Sequence, residues 1–279
     1  MPLPRPLHSL VALGLTALLA ACASAPTAVP TPPTDVAQIG ELRPGVLNGY
    51  LERALLPDSL ALLPPPPAKD SPLRAADEAS YRATRALLPT PRGALARADA
   101  RLDFPAATTA FACAAQLDIT AEATPHLYTL LRRSLVDAGG ATYRAKDHYR
   151  RLRPFAEYQH ANCTPEEDAR LVKDGSYPSG HAALGWAWAL LLAELMPERA
   201  DALLQRGYAY GQSRAICGVH WQSDVEAGRL VGAAAVARLH ANPVFQAQLR
   251  VAEGEVRAAR AAGRGTRQDC AAEAAALRP

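Results

Sequence analysis

The sequence predicts an all-α fold. Alanine, leucine, arginine and glutamate dominate its 279 residues, and most of these residue types favour helices. The alternation of β-branched and polar residues that marks half-buried strands is almost absent. Roughly 240 residues remain after the N-terminal segment, a length that fits one domain with a single core.

Nine helices are predicted within this domain, and several of their ends carry clear signals. Gly139-Gly140 ends the fourth helix, Pro197 opens the seventh, and Asn242-Pro243 stops the eighth. In chain order, the predicted helices cover residues 73–88, 94–103, 108–116, 120–138, 141–151, 179–195, 198–213, 222–240 and 244–262.

Two connections are expected to be mostly non-helical. Residues 64–67 are consecutive prolines, which exclude a helix and predict an extended segment. Residues 155–177 form the longest polar connection, with one turn of helix predicted at 164–167. Long connections in compact domains often carry function, so this one is expected to form a wall of a pocket.

The N-terminus predicts export. An apolar stretch from Leu10 to Ala21 follows one arginine and is too short to span a bilayer. Leu19-Ala20-Ala21-Cys22 resembles a bacterial lipoprotein cleavage box, which predicts a signal over residues 1–22 and a lipid on Cys22. A periplasmic protein anchored to the outer membrane through Cys22 would result. The alternative is an ordinary signal peptide from which Cys22 is discarded.

Composition divides the rest of the chain. Residues 23–44 are rich in Pro, Thr and Ala and predict an extended tether. Residues 45–262 form the predicted domain, and 263–279 a polar C-terminal tail. Net charge is +3, aromatic content is 6%, and no basic run is interleaved with aromatics, which argues against a nucleic-acid partner. Nothing after residue 22 is long and apolar enough to cross a membrane.

Four cysteines remain once Cys22 is set aside: Cys113, Cys163, Cys217 and Cys270. An even number in an exported chain predicts two disulfides. Three pairings are possible and the sequence does not choose among them; buried free thiols are the alternative. The cysteines are too far apart in sequence for a zinc knuckle.

Three short blocks carry the candidate chemistry. They are Lys146 with Arg153-Pro154, then Pro178-Ser179-Gly180-His181, then Ser213-Arg214 with His220 and Asp224. Together they gather three cations, two imidazoles and one carboxylate, a set suited to holding a phosphate and attacking it.

The first two blocks predict an anion site. Lys146 and Arg153 are seven residues apart, which on one helix closed by Pro154 places both on the same face. Ser179 and Gly180 precede an apolar helix whose free amides and positive end favour an anion. Each block alone has a plainer explanation, a solvated basic face in the first case and a serine cap in the second.

The histidines predict catalysis. His181 adjoins the expected anion, which should raise its pKa and keep it protonated as a proton donor. Asp224 follows His220 by four residues, so its carboxylate can fix the tautomer of His220 and leave the other ring nitrogen free to attack. A simple helix-surface pair is the alternative, but it leaves the other two blocks unexplained.

These blocks resemble the signature of the acid phosphatase and vanadium haloperoxidase superfamily, which also contains the type 2 phosphatidic acid phosphatases. Flanking residues resemble the class A bacterial non-specific acid phosphatases over about residues 45–250. These flanking matches are Leu62-Leu63 before the prolines, Thr90-Pro91-Arg92-Gly93, Phe111-Ala112-Cys113-Ala114, Gly175-Ser176-Tyr177 and the run 216–224.

The resemblance implies a metal-independent all-α phosphatase for phosphate monoesters such as nucleotides, sugar phosphates and aryl phosphates. It implies that His220 forms a phosphohistidine and that His181 protonates the leaving alcohol. It also implies that the phosphate is held by Lys146, Arg153, Ser179, Gly180 and Arg214. No cofactor is expected, vanadate or tungstate should inhibit as phosphate mimics, and a homo-oligomer is possible.

Three other functions stay open at this point. A vanadium-dependent haloperoxidase would bind vanadate on His220 in the same pocket. A lipid phosphate phosphatase is disfavoured by the lack of membrane-spanning segments. A non-catalytic phosphate-binding lipoprotein would not need both histidines and Asp224. Phosphotransferase and pyrophosphatase activity also stay open, because the pocket walls set them.

Overall fold

The centre of the fold is the helix Gly180–Leu195, which is buried on nearly every side. Trp188, Leu191 and Leu192 are fully inaccessible to solvent, as expected for a helix that is apolar all round. Trp188 donates its indole N–H to the carbonyl of Leu131 at 3.1 Å. The N-terminus of this helix carries the second sequence block and is therefore held by the core.

The computed structural model describes Met1 and residues 30–278. Two short strands, β1 (Glu41–Arg43) and β2 (Val46–Leu47), pair antiparallel. Single turns of 3₁₀-helix cover Arg53–Leu55, Pro165–Glu167 and Pro197–Arg199. The α-helices of the described chain are α1 (Val36–Ile39), α2 (Ser59–Leu62), α3 (Pro72–Arg85), α4 (Pro91–Ala98), α5 (Ala106–Ala115), α6 (Pro125–Gly140), α7 (Tyr143–Tyr149), α8 (Pro154–Tyr158), α9 (Asp168–Leu171), α10 (Gly180–Leu195), α11 (Ala200–Ile216), α12 (Gln222–Leu239), α13 (Pro243–Ala261) and α14 (Cys270–Leu277).

The predicted all-α fold is confirmed, and α6, α11 and α12 pack around α10. The predicted ends at Gly139-Gly140 and Asn242-Pro243 fall where α6 and α12 end. Asn242 also caps α13, accepting from the Phe245 amide at 2.9 Å. The predicted helix 141–151 is wrong at its C-terminal end, because α7 ends at Tyr149.

Close contact between α10 and α12 depends on two glycines of α12. A Cβ atom at Gly228 would collide with the carbonyl oxygen of Ser179, and one at Gly232 with that of Ala183. The absence of side chains there lets α12 lie directly against the first turns of α10. The second and third sequence blocks are thereby held side by side.

Ordered structure begins before the predicted domain start at residue 45. Helix α1 and strand β1 occupy the second half of the predicted tether 23–44, and Leu47 is buried. Just beyond, the Asp137 carboxylate accepts the amides of Tyr50 and Leu51 at 2.9 and 3.0 Å. The predicted signal over residues 1–22 and the lipid on Cys22 lie outside the described residues, apart from Met1.

Two disulfides join the four remaining cysteines, as predicted. Cys113 on α5 pairs with Cys270 at the start of α14, and Cys163 pairs with Cys217 after α11. The first bond ties the predicted polar tail to the domain. Disulfides of this kind are typical of proteins outside the cytoplasm. Among residues 30–278, none of the helices combines the length and apolarity needed to span a bilayer.

Candidate active site

His220 lies in the short connection between α11 and α12, where Gly218 adopts a positive φ of 75° and reverses the chain. The imidazole is almost completely buried. Its Nδ1 atom lies 3.4 Å from Oδ2 of Asp224, and its Nε2 atom lies 3.0 Å from Nη1 of Arg153. The predicted contact between the third-block histidine and its carboxylate is present.

Asp224 is fully buried in the first turn of α12. Its Oδ2 atom accepts the Trp221 amide at 2.8 Å, and its Oδ1 atom accepts Nη1 of Arg151 at 2.6 Å. A carboxylate held by an amide and a guanidinium keeps its orientation. It is therefore suited to orienting the imidazole of His220.

Arg153 and Lys146 approach the site from different elements, so the prediction that one helix carries both is wrong. Arg150 adopts the left-handed conformation (φ 44°) after α7, and Pro154 begins α8 instead of closing a helix. The two side chains still converge, because both bind Oδ2 of Asp174: Arg153 Nη2 at 2.9 Å and Lys146 Nζ at 3.4 Å.

The two cations differ in their protonation behaviour. Burial, and after it the charge of neighbouring Arg153, lower the pKa of Lys146 to about 8 against the opposing effect of Asp174. Burial also lowers the pKa of Arg153, although a guanidinium stays charged in proteins. Lys146 is thus the cation of the pair that loses its charge first as pH rises.

Arg214 contributes a buried guanidinium from the last turn of α11. Only 1% of the residue is exposed, and neither Nε nor Nη1 has a hydrogen-bond partner within the described chain. Burial lowers its pKa to about 10, with the charge of Glu167 opposing, so it stays cationic at neutral and acidic pH. Unpaired donors on a buried cation leave room for an anion to bind.

Ser179 caps α10, which is the plainer explanation that the sequence allowed for this block, and its role as a donor to an anion stays a prediction. Its Oγ atom accepts the Ala182 amide at 3.2 Å, and its own amide donates to the Asp224 carbonyl at 2.9 Å. The nearest atom to a Cβ at Gly180 would be Thr142 Oγ1, at 3.8 Å, so protein packing alone does not require glycine there. The first turn of α10 therefore presents its amides next to the residue that orients His220.

His181 is half-buried in the first turn of α10, with Nε2 3.0 Å from the carbonyl oxygen of Ala100. Because a carbonyl only accepts, Nε2 carries the proton of the neutral ring. In this structure burial and then Arg214 lower the pKa of His181 well below its usual range, and the raised pKa expected beside a bound anion stays a prediction. A phosphate bound beside it would act in the opposite direction.

The sequence did not predict three residues that the structure places around the site: Asp77, Arg151 and Asp174. Asp174 lies inside the polar connection 155–177, which was expected to form a pocket wall. That position is the only feature of the sequence that pointed to Asp174. Arg151 lies between Lys146 and Arg153, and it bonds Asp77 at 2.7 Å across 74 residues of sequence. No group of three His, Cys, Asp or Glu side chains suited to a metal ion occurs among the described residues.

Comparisons with known proteins show the family to which this chain is similar. The model of the PAP2 superfamily matches residues 123–246, which include all three sequence blocks. A non-specific acid phosphatase of Providencia stuartii is 50% identical over 207 residues, 74% of this chain and 84% of the relative. An acid phosphatase of Zymomonas mobilis is 41% identical over 203 residues, covering 73% and 77% of the two chains. A non-specific acid phosphatase of Salmonella typhimurium is 44% identical over 189 residues, covering 67% and 75%.

Proposed function

The chain belongs to the class A non-specific acid phosphatases of the PAP2 superfamily, and on that premise we propose that it hydrolyses phosphate monoesters through a phosphohistidine on His220. The observation that carries the proposal is the buried guanidinium of Arg214, whose Nε and Nη1 donors have no partner among residues 30–278. Leaving a buried cation unpaired is costly. A phosphate group in the pocket would remove that cost.

The first chemical step uses the neutral imidazole. With its proton on Nδ1, facing Asp224, His220 attacks phosphorus through the Nε2 lone pair. The P–N bond forms as the ester P–O bond breaks. Arg153, Lys146 and Arg214 hold the remaining phosphate oxygens and stabilise the charge that shifts during transfer.

Protonation of the leaving group completes that step. His181 donates a proton to the departing alcohol oxygen, and then as a neutral base takes a proton from the water that attacks the phosphohistidine. The P–N bond breaks, inorganic phosphate leaves, and both histidines return to their starting states. Ser179 and the amides of the first turn of α10 add hydrogen bonds to the phosphate.

A quench experiment tests the nucleophile. Enzyme mixed with ³²P-labelled phenyl phosphate and quenched in alkali should carry label that is stable in base and released in acid. The label should map to the peptide containing His220 and be absent in His220→Asn. Label on any other residue, or full turnover by His220→Asn, would show that another group attacks.

Leaving-group dependence tests His181. In His181→Asn, turnover of an alkyl phosphate should fall far more than turnover of p-nitrophenyl phosphate, because p-nitrophenolate leaves without a proton. Equal losses on both substrates would remove His181 from the acid role. Bromide oxidation by the vanadate-loaded protein in peroxide would instead favour the haloperoxidase alternative.

We further propose that the protein acts outside the cytoplasm, tethered by a lipid on Cys22. The two disulfides support the compartment, and the Leu-Ala-Ala-Cys sequence ending at Cys22 supports the lipid. Labelled palmitate should be incorporated by the wild type and not by Cys22→Ser. Phosphate monoesters remain the proposed substrates, and a homo-oligomer remains a prediction.

A further inference from the structure

A buried ring of hydrogen bonds supports Asp224 through the oxygen that does not face His220. Oδ2 of Asp224 lies 3.4 Å from Nδ1 of His220, while Oδ1 accepts Nη1 of Arg151 at 2.6 Å. The same Arg151 nitrogen donates to Oγ of Ser223 at 2.8 Å. Arg151 therefore fixes both the charge and the rotation of the carboxylate.

Asp77, on α3, closes the ring from the other side. Its Oδ2 atom accepts Nη2 of Arg151 at 2.7 Å and Oγ of Ser223 at 2.6 Å, and its Oδ1 atom accepts the Ser223 amide at 2.8 Å. The side chains of Arg151, Asp77 and Asp224 are 8%, 3% and 0% exposed. The three charged side chains of the ring are thus largely shielded from water, and hydrogen bonds hold geometry most firmly in such surroundings.

We propose that Arg151 and Asp77 are positioning residues for phosphoryl transfer, acting through Asp224 to hold the imidazole of His220 in line with phosphorus. This role rests on the proposed function of His220. Asp77 lies outside residues 123–246, which the superfamily model matches. The inference therefore makes an N-terminal helix of this chain part of the catalytic support.

The physical reason is charge balance in a buried place. Asp77 and Asp224 are two carboxylates that share one guanidinium, and a buried carboxylate without a cation tends to take up a proton. A protonated or rotated Asp224 would no longer select the Nδ1–H tautomer of His220. Arg151 matches the task because its planar fork reaches both carboxylates at once, which a lysine cannot do.

Kinetics of Arg151→Met and Arg151→Lys provide the main test. Arg151→Met should lower kcat roughly 10- to 100-fold, the scale seen when outer partners of a site residue are removed. KM and inhibition by inorganic phosphate should stay near wild type, since Lys146, Arg153 and Arg214 still hold the anion. The kcat of Arg151→Lys should lie between those of wild type and Arg151→Met, because lysine keeps the positive charge but can contact only one of the two carboxylates.

The pH dependence of kcat/KM separates positioning from general loosening. His220 is faced by Asp224 on α12, Arg153 before α8, Lys146 on α7 and Arg214 on α11. While Asp224 stays ionised, removing the positive charge of Arg151 should raise the pKa of His220 and move the acid limb to higher pH. Asp77→Asn removes a negative charge and should move the same limb to lower pH. A merely structural defect would not give opposite shifts.

Asp137→Asn is the matched control. Asp137 is also a buried carboxylate that accepts two donors from a distant segment, the amides of Tyr50 and Leu51. This variant should keep kcat within about twofold of wild type and leave the acid limb in place. If Arg151→Met does not fold, the kcat and the acid limb of Asp77→Asn, compared with those of Asp137→Asn, test the positioning role instead.

Two results would overturn the positioning role. One is a kcat within about twofold of wild type in folded Arg151→Met or Asp77→Asn while His220→Asn is inactive. The other is a rise of KM and of the phosphate inhibition constant in parallel with the loss of kcat. Full activity of His220→Asn would overturn the proposed function, and the positioning role with it.

Discussion

Arg153 donates a hydrogen bond from Nη1 to the Nε2 atom of His220 across 3.0 Å. A guanidinium has no acceptor, so Nε2 must carry the lone pair and the ring proton must lie on Nδ1, toward Asp224. The nitrogen suited to attack phosphorus therefore already faces a cation that can bind a phosphate oxygen. In the proposed mechanism, substrate binding would exchange this hydrogen bond for a contact between Arg153 and the phosphate.

Replacing Arg153 with Gln should raise the pKa of His220. Burial lowers that pKa first and the charge of Arg153 second, so removing the charge should favour protonation of the imidazole. Titration of ¹³C-labelled imidazole signals by NMR measures the change. His240, which pairs with Glu194 at the surface, serves as an internal control. An unchanged His220 titration would contradict the electrostatic coupling.

Arg214→Met should make the protein more stable and nearly inactive. The variant removes a buried guanidinium whose Nε and Nη1 lack partners among residues 30–278, which should add about 1–3 kcal/mol to the unfolding free energy. It also removes the proposed anion contact, so inhibition by inorganic phosphate should weaken together with kcat. Urea denaturation and phosphate inhibition measure the two effects. Lower stability of Arg214→Met, together with unchanged inhibition by phosphate, would contradict both expectations.

Arg206→Met, two turns earlier on α11, is the contrasting variant. Arg206 is equally buried, but it forms an ion pair with Asp99 through Nη1 at 3.1 Å and through Nη2. Its removal leaves that carboxylate unpaired and should cost about 3–5 kcal/mol. Opposite signs for two buried arginines of one helix would show that Arg214 is kept for binding rather than stability.

The sequence predicted those parts of the site that local spacing controls. The cap at Ser179, the position of His220 just before α12 and its contact with Asp224 all follow from spacing within a few residues. The break after α7 was not predictable, because it depends on a left-handed Arg150 (φ 44°) that no residue preference signals. The contact between Asp77 and Ser223 spans 146 residues, a separation at which no local pattern exists.

The unfolding free energy should fall as pH drops from about 7 to about 5 in phosphate-free buffer. Burial holds the pKa values of His181 and His220 well below their usual range, so the unfolded chain takes up protons first. Each histidine should cost up to about 1.4 kcal/mol per pH unit below about 6.5. Asp137 has the opposite effect on the unfolding free energy. Burial raises its pKa to about 6, so the cost of keeping its carboxylate ionised in the folded protein disappears at acidic pH.

The variant His220→Gln tests how much His220 contributes to the loss of stability at acidic pH. The variant cannot take up the proton, so its unfolding free energy should decline less steeply with acidity than that of wild type. Urea denaturation of both proteins at pH 7, 6 and 5 gives the two slopes. Identical slopes would mean that the buried imidazole of His220 does not set the acid sensitivity of the fold.

Loss of the Cys113–Cys270 disulfide should lower stability without changing catalysis. The bond closes a loop of 157 residues, so its removal in Cys113→Ser/Cys270→Ser should cost about 2–4 kcal/mol. It ties α14 to α5, and both histidines and the three cations proposed to bind phosphate lie on other elements. Thermal melting should therefore show a lower Tm while kcat and KM for p-nitrophenyl phosphate stay near wild type.

Cys163→Ser/Cys217→Ser is the contrasting pair, because Cys217 lies three residues before His220. Its loss should reduce kcat as well as Tm, whereas equal kinetic effects of the two double variants would show that neither disulfide acts locally on the site.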